Sequence, residues 1–143
     1  MVRAIMHGCN GHMGQVITGL IKNDESIEIV AGIDKYKEIE NDYPVFDSME
    51  ACTEEADVVI DFSNAAAIDA LLDSCKDKKL PVVLCTTGLS EEQLAKVKET
   101  AKETAVLKSA NMSLGINLLL KLLKEATAVL APAGYDMEIV ERH

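Results

Sequence analysis

The chain has 143 residues, 48% of them hydrophobic, and a formal net charge of −10. That length and apolar content suit one compact domain with a real core and exclude a disordered chain. The acidic balance excludes non-specific nucleic-acid binding, which needs basic surface to replace phosphate counterions.

Residues 2–6 are predicted as a strand. They run directly into Gly8-Cys9-Asn10-Gly11-His12-Met13-Gly14, a G-x-x-G-x-x-G turn, and then into a helical stripe of Met13, Val16, Ile17, Leu20 and Ile21. A strand entering a glycine-rich turn ahead of a helix builds a phosphate site, because the glycines let an anion approach bare N–H groups. The next strand, 27–33, delivers Asp34, 20 residues beyond Gly14. A carboxylate there suits the adenosine ribose hydroxyls of a dinucleotide, and also suits an ordinary strand-ending turn. Lys35 beside it would offset a 2′-phosphate, so both NADH and NADPH stay in play.

The acidic stretch 36–55 reads as loop with at most a short strand at Val45 and Phe46. Strand 58–62 ends in Asp61-Phe62-Ser63, with Ser63 expected to cap the helix from Asn64 onward. Ile68, Leu71, Leu72 and Cys75 form the inner face of helix 65–76. Strand 81–86 leads to Thr86-Thr87-Gly88. Ser90-Glu91-Glu92-Gln93 is a capping box, with Leu94 and Val97 turned inward. Strand 105–107 precedes Ser109-Ala110-Asn111-Met112-Ser113, where Asn111 suits a carboxamide and Met112 suits a ring.

Residues 114–124 are apolar apart from a narrow stripe of Asn117, Lys121 and Lys124. Such a helix is expected to be buried on most sides, against a further layer or another domain. It falls short of the ~20 residues of a membrane span. Pro132-Ala133-Gly134 breaks the chain, and 137–141 alternates like a strand. Strands separated by helices predict an α/β fold: a Rossmann-like, doubly wound parallel sheet with helices on both faces. A dinucleotide-binding domain over 1–131 is expected, with the chain cut off as a second, α+β domain begins at 132–143.

Cys9, Cys52, Cys75 and Cys85 form no C-x-x-C pair and read as free thiols of a reducing cytoplasm. No Cys/His cluster has zinc spacing. His7 and His12 read as structural or solvent-facing, since neither has an acidic or nucleophilic neighbour in sequence.

Taken in order, Gly8-x-x-Gly11-x-Met13-Gly14, Val59-Ile60-Asp61-Phe62-Ser63, Thr86-Thr87-Gly88, the block from Ser109 to Asn117, and Glu138-Ile139-Val140-Glu141-x-His143 resemble the 4-hydroxy-tetrahydrodipicolinate (dihydrodipicolinate) reductase family. The resemblance implies a cytoplasmic enzyme of lysine and diaminopimelate biosynthesis. It would use NADH or NADPH on a small dicarboxylate substrate and assemble as a homotetramer through a C-terminal substrate domain. It further implies that Gly8, Cys9, Asn10, Gly11, His12 and Met13 hold the pyrophosphate, Asp34 the adenosine ribose, and that Lys35 neighbours any 2′-phosphate. Cys85, Thr86, Thr87, Ser109, Ala110, Asn111 and Met112 would line the nicotinamide, and His143 would donate a proton. Cys85 stands where the family usually has glycine. The family continues after His143 with a second His, a catalytic Lys and a Ser-Gly-Thr, so this chain alone is expected to bind cofactor and turn over little substrate. The competing reading is a non-catalytic nucleotide-binding regulatory module.

Overall fold

A computed structural model describes residues 1–140, which fall into two compact units, Met1–Ala110 and the described residues from Asn111 onward. The first unit runs β1 (Val2–His7), α1 (His12–Ile21), β2 (Ile27–Ile33), β3 (Val45–Phe46), β4 (Val58–Asp61), a 3-10 turn (Ala65–Ala67), α2 (Ile68–Lys78), β5 (Val82–Leu84), α3 (Glu91–Thr100) and β6 (Val106–Lys108). Every strand pair is parallel, in the order β3-β2-β1-β4-β5-β6.

The chain winds outward from β1 first through β2 and β3, then reverses through β4 to β6. Right-handed crossovers therefore put α1 on one face and α2 and α3 on the other. A crevice opens where the order reverses, beyond the carboxyl ends of β1 and β4.

Alternation within the strands sets the core. Ile5, Ile33, Val59, Val82 and Leu84 meet Ile68, Leu71, Leu72 and Cys75 of α2 and Val97 of α3. Met49 and Cys52, from the irregular connection between β3 and β4, complete it. Lys78 Nζ fastens that connection by donating to the carbonyls of Met49 (2.8 Å) and Cys52 (3.4 Å). The capping box opens α3: Ser90 Oγ accepts from Gln93 N, and Gln93 Oε1 accepts from Ser90 N.

The apolar stripe of α1 is only half covered, with Met13, Val16 and Leu20 exposed. The helix docks instead through Gly14, its one buried residue. Ser63 does not cap the following helix. Asn64 does, its side chain accepting from Ala66 N at 3.1 Å, and the first turn is 3-10. Ser63 is drawn away by a buried carboxylate described below.

The second unit carries α4 (Leu114–Leu130). Ser113 Oγ caps it by accepting from Ile116 N, and Asn117 Nδ2 donates to the carbonyls of Asn111 and Ser113. The burial expected of this helix is not found, since none of its residues is buried. Of residues 137–141, expected as strand, 137–140 have no regular structure, because a strand needs a neighbour to complete its hydrogen bonds, and Glu141 lies outside the described residues.

Candidate functional site

β1 ends at His7 and the chain turns sharply at Gly8, which adopts φ +80°, a left-handed conformation suited to glycine. Sterics add a second demand, since a Cβ at Gly8 would lie 2.7 Å from the Phe62 carbonyl oxygen. Gly8 N donates to Ile33 O (2.8 Å) and Gly11 N to Gly8 O (3.2 Å), closing the turn against β2. Gly11 is the N-cap of α1, and no side chain caps the helix. The first-turn amides are thus left to an external acceptor.

Beside the turn lies a cavity of about 600 Å³. Gly8, Asn10 and Gly11 form one side, and Asp34, Lys35 and Tyr36 of the loop after β2 form another. Apolar atoms come from Phe62, from Met49, and from Ala67 and Leu71 beside and on α2.

Asp34 is held by two backbone amides, Asn10 N on Oδ2 and Tyr36 N on Oδ1, both at 3.0 Å. Each oxygen keeps a second lone-pair direction for a ligand. Lys35 is exposed and, among the described residues, forms no ion pair, whereas Lys37 is engaged by Asp47 at 2.8 Å.

Asn10 has a role that its position in the turn does not announce. Its buried side chain donates to Tyr36 O and accepts from Asn41 Nδ2 at 2.8 Å. Gln15 Nε2 joins in, donating to Cys9 O (2.9 Å) and Asn41 Oδ1 (3.1 Å), and Tyr43 OH meets Thr18 Oγ1 at 2.8 Å. These amides clamp the loop after β2 onto the glycine turn and α1.

At the crevice floor sits Asp61, wholly buried at the end of β4. Its Oδ1 takes His7 Nδ1 (2.7 Å), Ser63 Oγ (2.6 Å) and Ser63 N (3.2 Å), and its Oδ2 takes Thr86 Oγ1 (2.7 Å). Burial pushes this carboxyl up, but the hydrogen bonds from His7, Ser63 and Thr86 outweigh it and hold the group below its ordinary range. One buried anion thereby ties the end of β1 to the loops that follow β4 and β5. Sequence reading missed the pair because 54 residues separate His7 from Asp61. The available signal was that both end strands that register side by side.

The remaining candidates are spread more widely. Cys9 is fully buried and faces Gly32, where an added Cβ would lie 2.5 Å from its Sγ; burial, then the charge of Asp34, pushes its thiol up to about 12. His12 and Met13 are exposed on the first turn of α1. Cys85 is buried, its thiol raised by burial and by Asp61, while Thr87 is exposed. Ser109 N donates to Leu84 O at 3.1 Å, and Ala110 is exposed. The cavity brings together Gly8, Asn10, Gly11, Asp34 and Lys35, and does not reach Cys85, Thr86, Thr87, Ser109 or Ala110. Asn111 and Met112 belong to the second unit, and His143 lies outside the described residues. Among the described residues no group of three or more His, Cys, Asp or Glu is placed to hold a metal, and no helix is long and apolar enough to cross a membrane.

Residues 2–112 match the family model described as dihydrodipicolinate reductase, N-terminus. Over all 143 residues the chain is 52% identical to a 4-hydroxy-tetrahydrodipicolinate reductase of Caldanaerobacter subterraneus and 50% identical to one of Clostridium novyi. It spans 56% of the length of each. Among solved structures it is similar to a dipicolinate-bound dihydrodipicolinate reductase from Paenisporosarcina, with TM-score 0.79 and 26% identity over 90% of this chain and 54% of that one. A myo-inositol 2-dehydrogenase from Lactobacillus plantarum shares the fold alone, with TM-score 0.67 and 12% identity over 87% of this chain and 41% of that one.

Proposed function

This chain belongs to the dihydrodipicolinate reductase family, and from that premise we propose that it is the cofactor-binding part of an enzyme that reduces 4-hydroxy-tetrahydrodipicolinate to tetrahydrodipicolinate. The proposal takes 1–131 as the dinucleotide domain and 132–143 as the start of the substrate domain. It places the whole protein in the cytoplasm as a homotetramer.

The observation that carries it is the glycine turn opening on a cavity whose far side holds an oriented carboxylate. The residues fit the ribose–pyrophosphate stretch of a nicotinamide dinucleotide. Gly11 leaves a bare cradle, with Gly8 O the one atom within contact range of an added Cβ, at 3.3 Å. Asp34, its backbone bonds already made, has lone pairs directed to ribose hydroxyls. Lys35 is the cation available to a 2′-phosphate. In this reading the first-turn amides of α1, from His12 and Met13, bind the pyrophosphate, while Gly8, Cys9, Asn10 and Gly11, whose own bonds close the turn, hold its shape. Cys85, Thr86, Thr87, and Ser109 to Met112 are assigned to the nicotinamide end, and His143 to proton donation. When bound, the cofactor supplies the hydride; the protein's part is to orient it and to supply a proton.

Titration of the chain with NADH and NADPH tests the reading. Asp34→Ala should weaken NADH at least about tenfold, as expected when hydrogen bonds to a charged group are lost. Lys35→Ala should weaken NADPH selectively. Unchanged affinity ratios in both variants would show the ribose contacts to be misassigned.

A further inference from the structure

His7 lines the cavity, yet no role follows for it from the glycine turn. Its side chain is 9% exposed and sits in register beside Asp61 on the neighbouring strand. All the groups around the Asp61 carboxylate are donors: Ser63 through both its hydroxyl and its amide, and the Thr86 hydroxyl. An acceptor-only anion in that setting requires His7 to present Nδ1–H, which fixes the tautomer. In the neutral ring Nε2 then carries a lone pair.

Among the described residues no hydrogen bond uses that second nitrogen. Among the described residues, no buried side-chain nitrogen or oxygen lacks a partner, so an unpartnered Nε2 is an accessible one. The side chain is otherwise enclosed and His7 lines the cavity, which is where an accessible ring nitrogen would open. The cavity therefore contains a second hydrogen-bond acceptor, held rigidly from below by a buried anion and sharing the cavity with Asp34. A lone pair so placed takes a hydroxyl proton. A phosphate has no proton to offer it.

We propose that His7 is a binding residue for the adenosine end of the cofactor, accepting a hydrogen bond at Nε2 from a ribose hydroxyl while Asp61 positions the ring. The assignment rests on the dinucleotide reading above.

His7→Asn separates this role from a structural one. An asparagine amide takes the place of Nδ1 and keeps the bond to Asp61, but nothing replaces Nε2. The variant should unfold at the wild-type urea midpoint. It should bind NADH and free adenosine about 5-fold more weakly, the loss expected for one hydrogen bond, by calorimetry for NADH and NMR titration for adenosine. Wild-type affinity for both ligands would overturn the proposal, as would a loss for NADH without one for adenosine, which would move the contact to the phosphates. Should His7→Asn not fold, the wild-type chain labelled with 15N-histidine gives the answer: the His7 Nε2 resonance must move when adenosine is added, and a fixed resonance overturns the proposal. A wild-type chain that binds neither NADH, NADPH nor adenosine would remove the dinucleotide reading itself, and this assignment with it.

Discussion

Two glycines on α1 give opposite predictions for the same substitution. Gly14→Ala places a Cβ 2.3 Å from the Gly8 carbonyl oxygen, 2.6 Å from that of Cys9 and 2.7 Å from the Cys9 carbonyl carbon. All three are backbone atoms of the turn and none swings aside. Ordinary contact begins at 3.4 Å, so helix and turn must separate by roughly 1 Å, a strain in the ~1–3 kcal/mol range of overpacked sites. Gly19, five residues on, meets nothing within 4 Å. There alanine brings only its helical preference, about 1 kcal/mol. Urea unfolding should therefore show Gly19→Ala gaining about 1 kcal/mol and Gly14→Ala gaining nothing or losing up to about 2 kcal/mol, once helical preference is set against strain. NADH affinity should fall in Gly14→Ala alone. Equal stability of the two variants would refute the claim that the turn and helix meet backbone to backbone.

Two further outcomes follow from the buried groups. Asp61 titrates below its ordinary range in the folded chain, so it contributes stability that is present above its unfolded value of 3.8 and is lost as pH falls through the lower folded value. The stability gap between wild type and Asp61→Asn should be constant near neutrality and narrow below about pH 4, as followed by urea midpoints across pH. All four cysteines are buried and free, and burial pushes Cys9 and Cys75 up to about 12. A disulfide reagent at pH 8 should label none of them until denaturant is added, and rapid labelling of Cys9 in the native chain would contradict its placement behind the turn.

The strands and their parallel pairing could be read from the chain because each is an apolar run bounded by turn residues, and the helical periods between them call for parallel crossovers. Ser90 and Gln93 announced α3 through a purely local rule. Tertiary demands decided the rest. Ser63 has the chemistry of a cap, yet it serves Asp61, because a buried carboxylate costs more to leave unsatisfied than a helix end near solvent. His7 looked isolated because its partner arrives only through strand register. Asn10 was legible as a turn residue, but its clamp on Tyr36 and Asn41 depends on a loop whose path no periodicity dictates. Residues 137–140 alternate like a strand, and alternation alone does not supply a pairing partner.

The position of β1 between β2 and β4 bears on how the chain acquires its site. One edge of β1 is filled by β2 through a short local crossover, so that half of the ladder closes at low entropic cost. The other edge waits for β4, and the His7–Asp61 pair closes a loop of 54 residues. Contacts of such sequence separation form late, since loop entropy must be lost before they give any return. The glycine turn can take shape with the first βαβ unit, whereas the crevice beneath it has no floor until β4 docks. Refolding followed by a probe on α1 should thus run ahead of recovery of cofactor binding, making ligand competence a late event in folding.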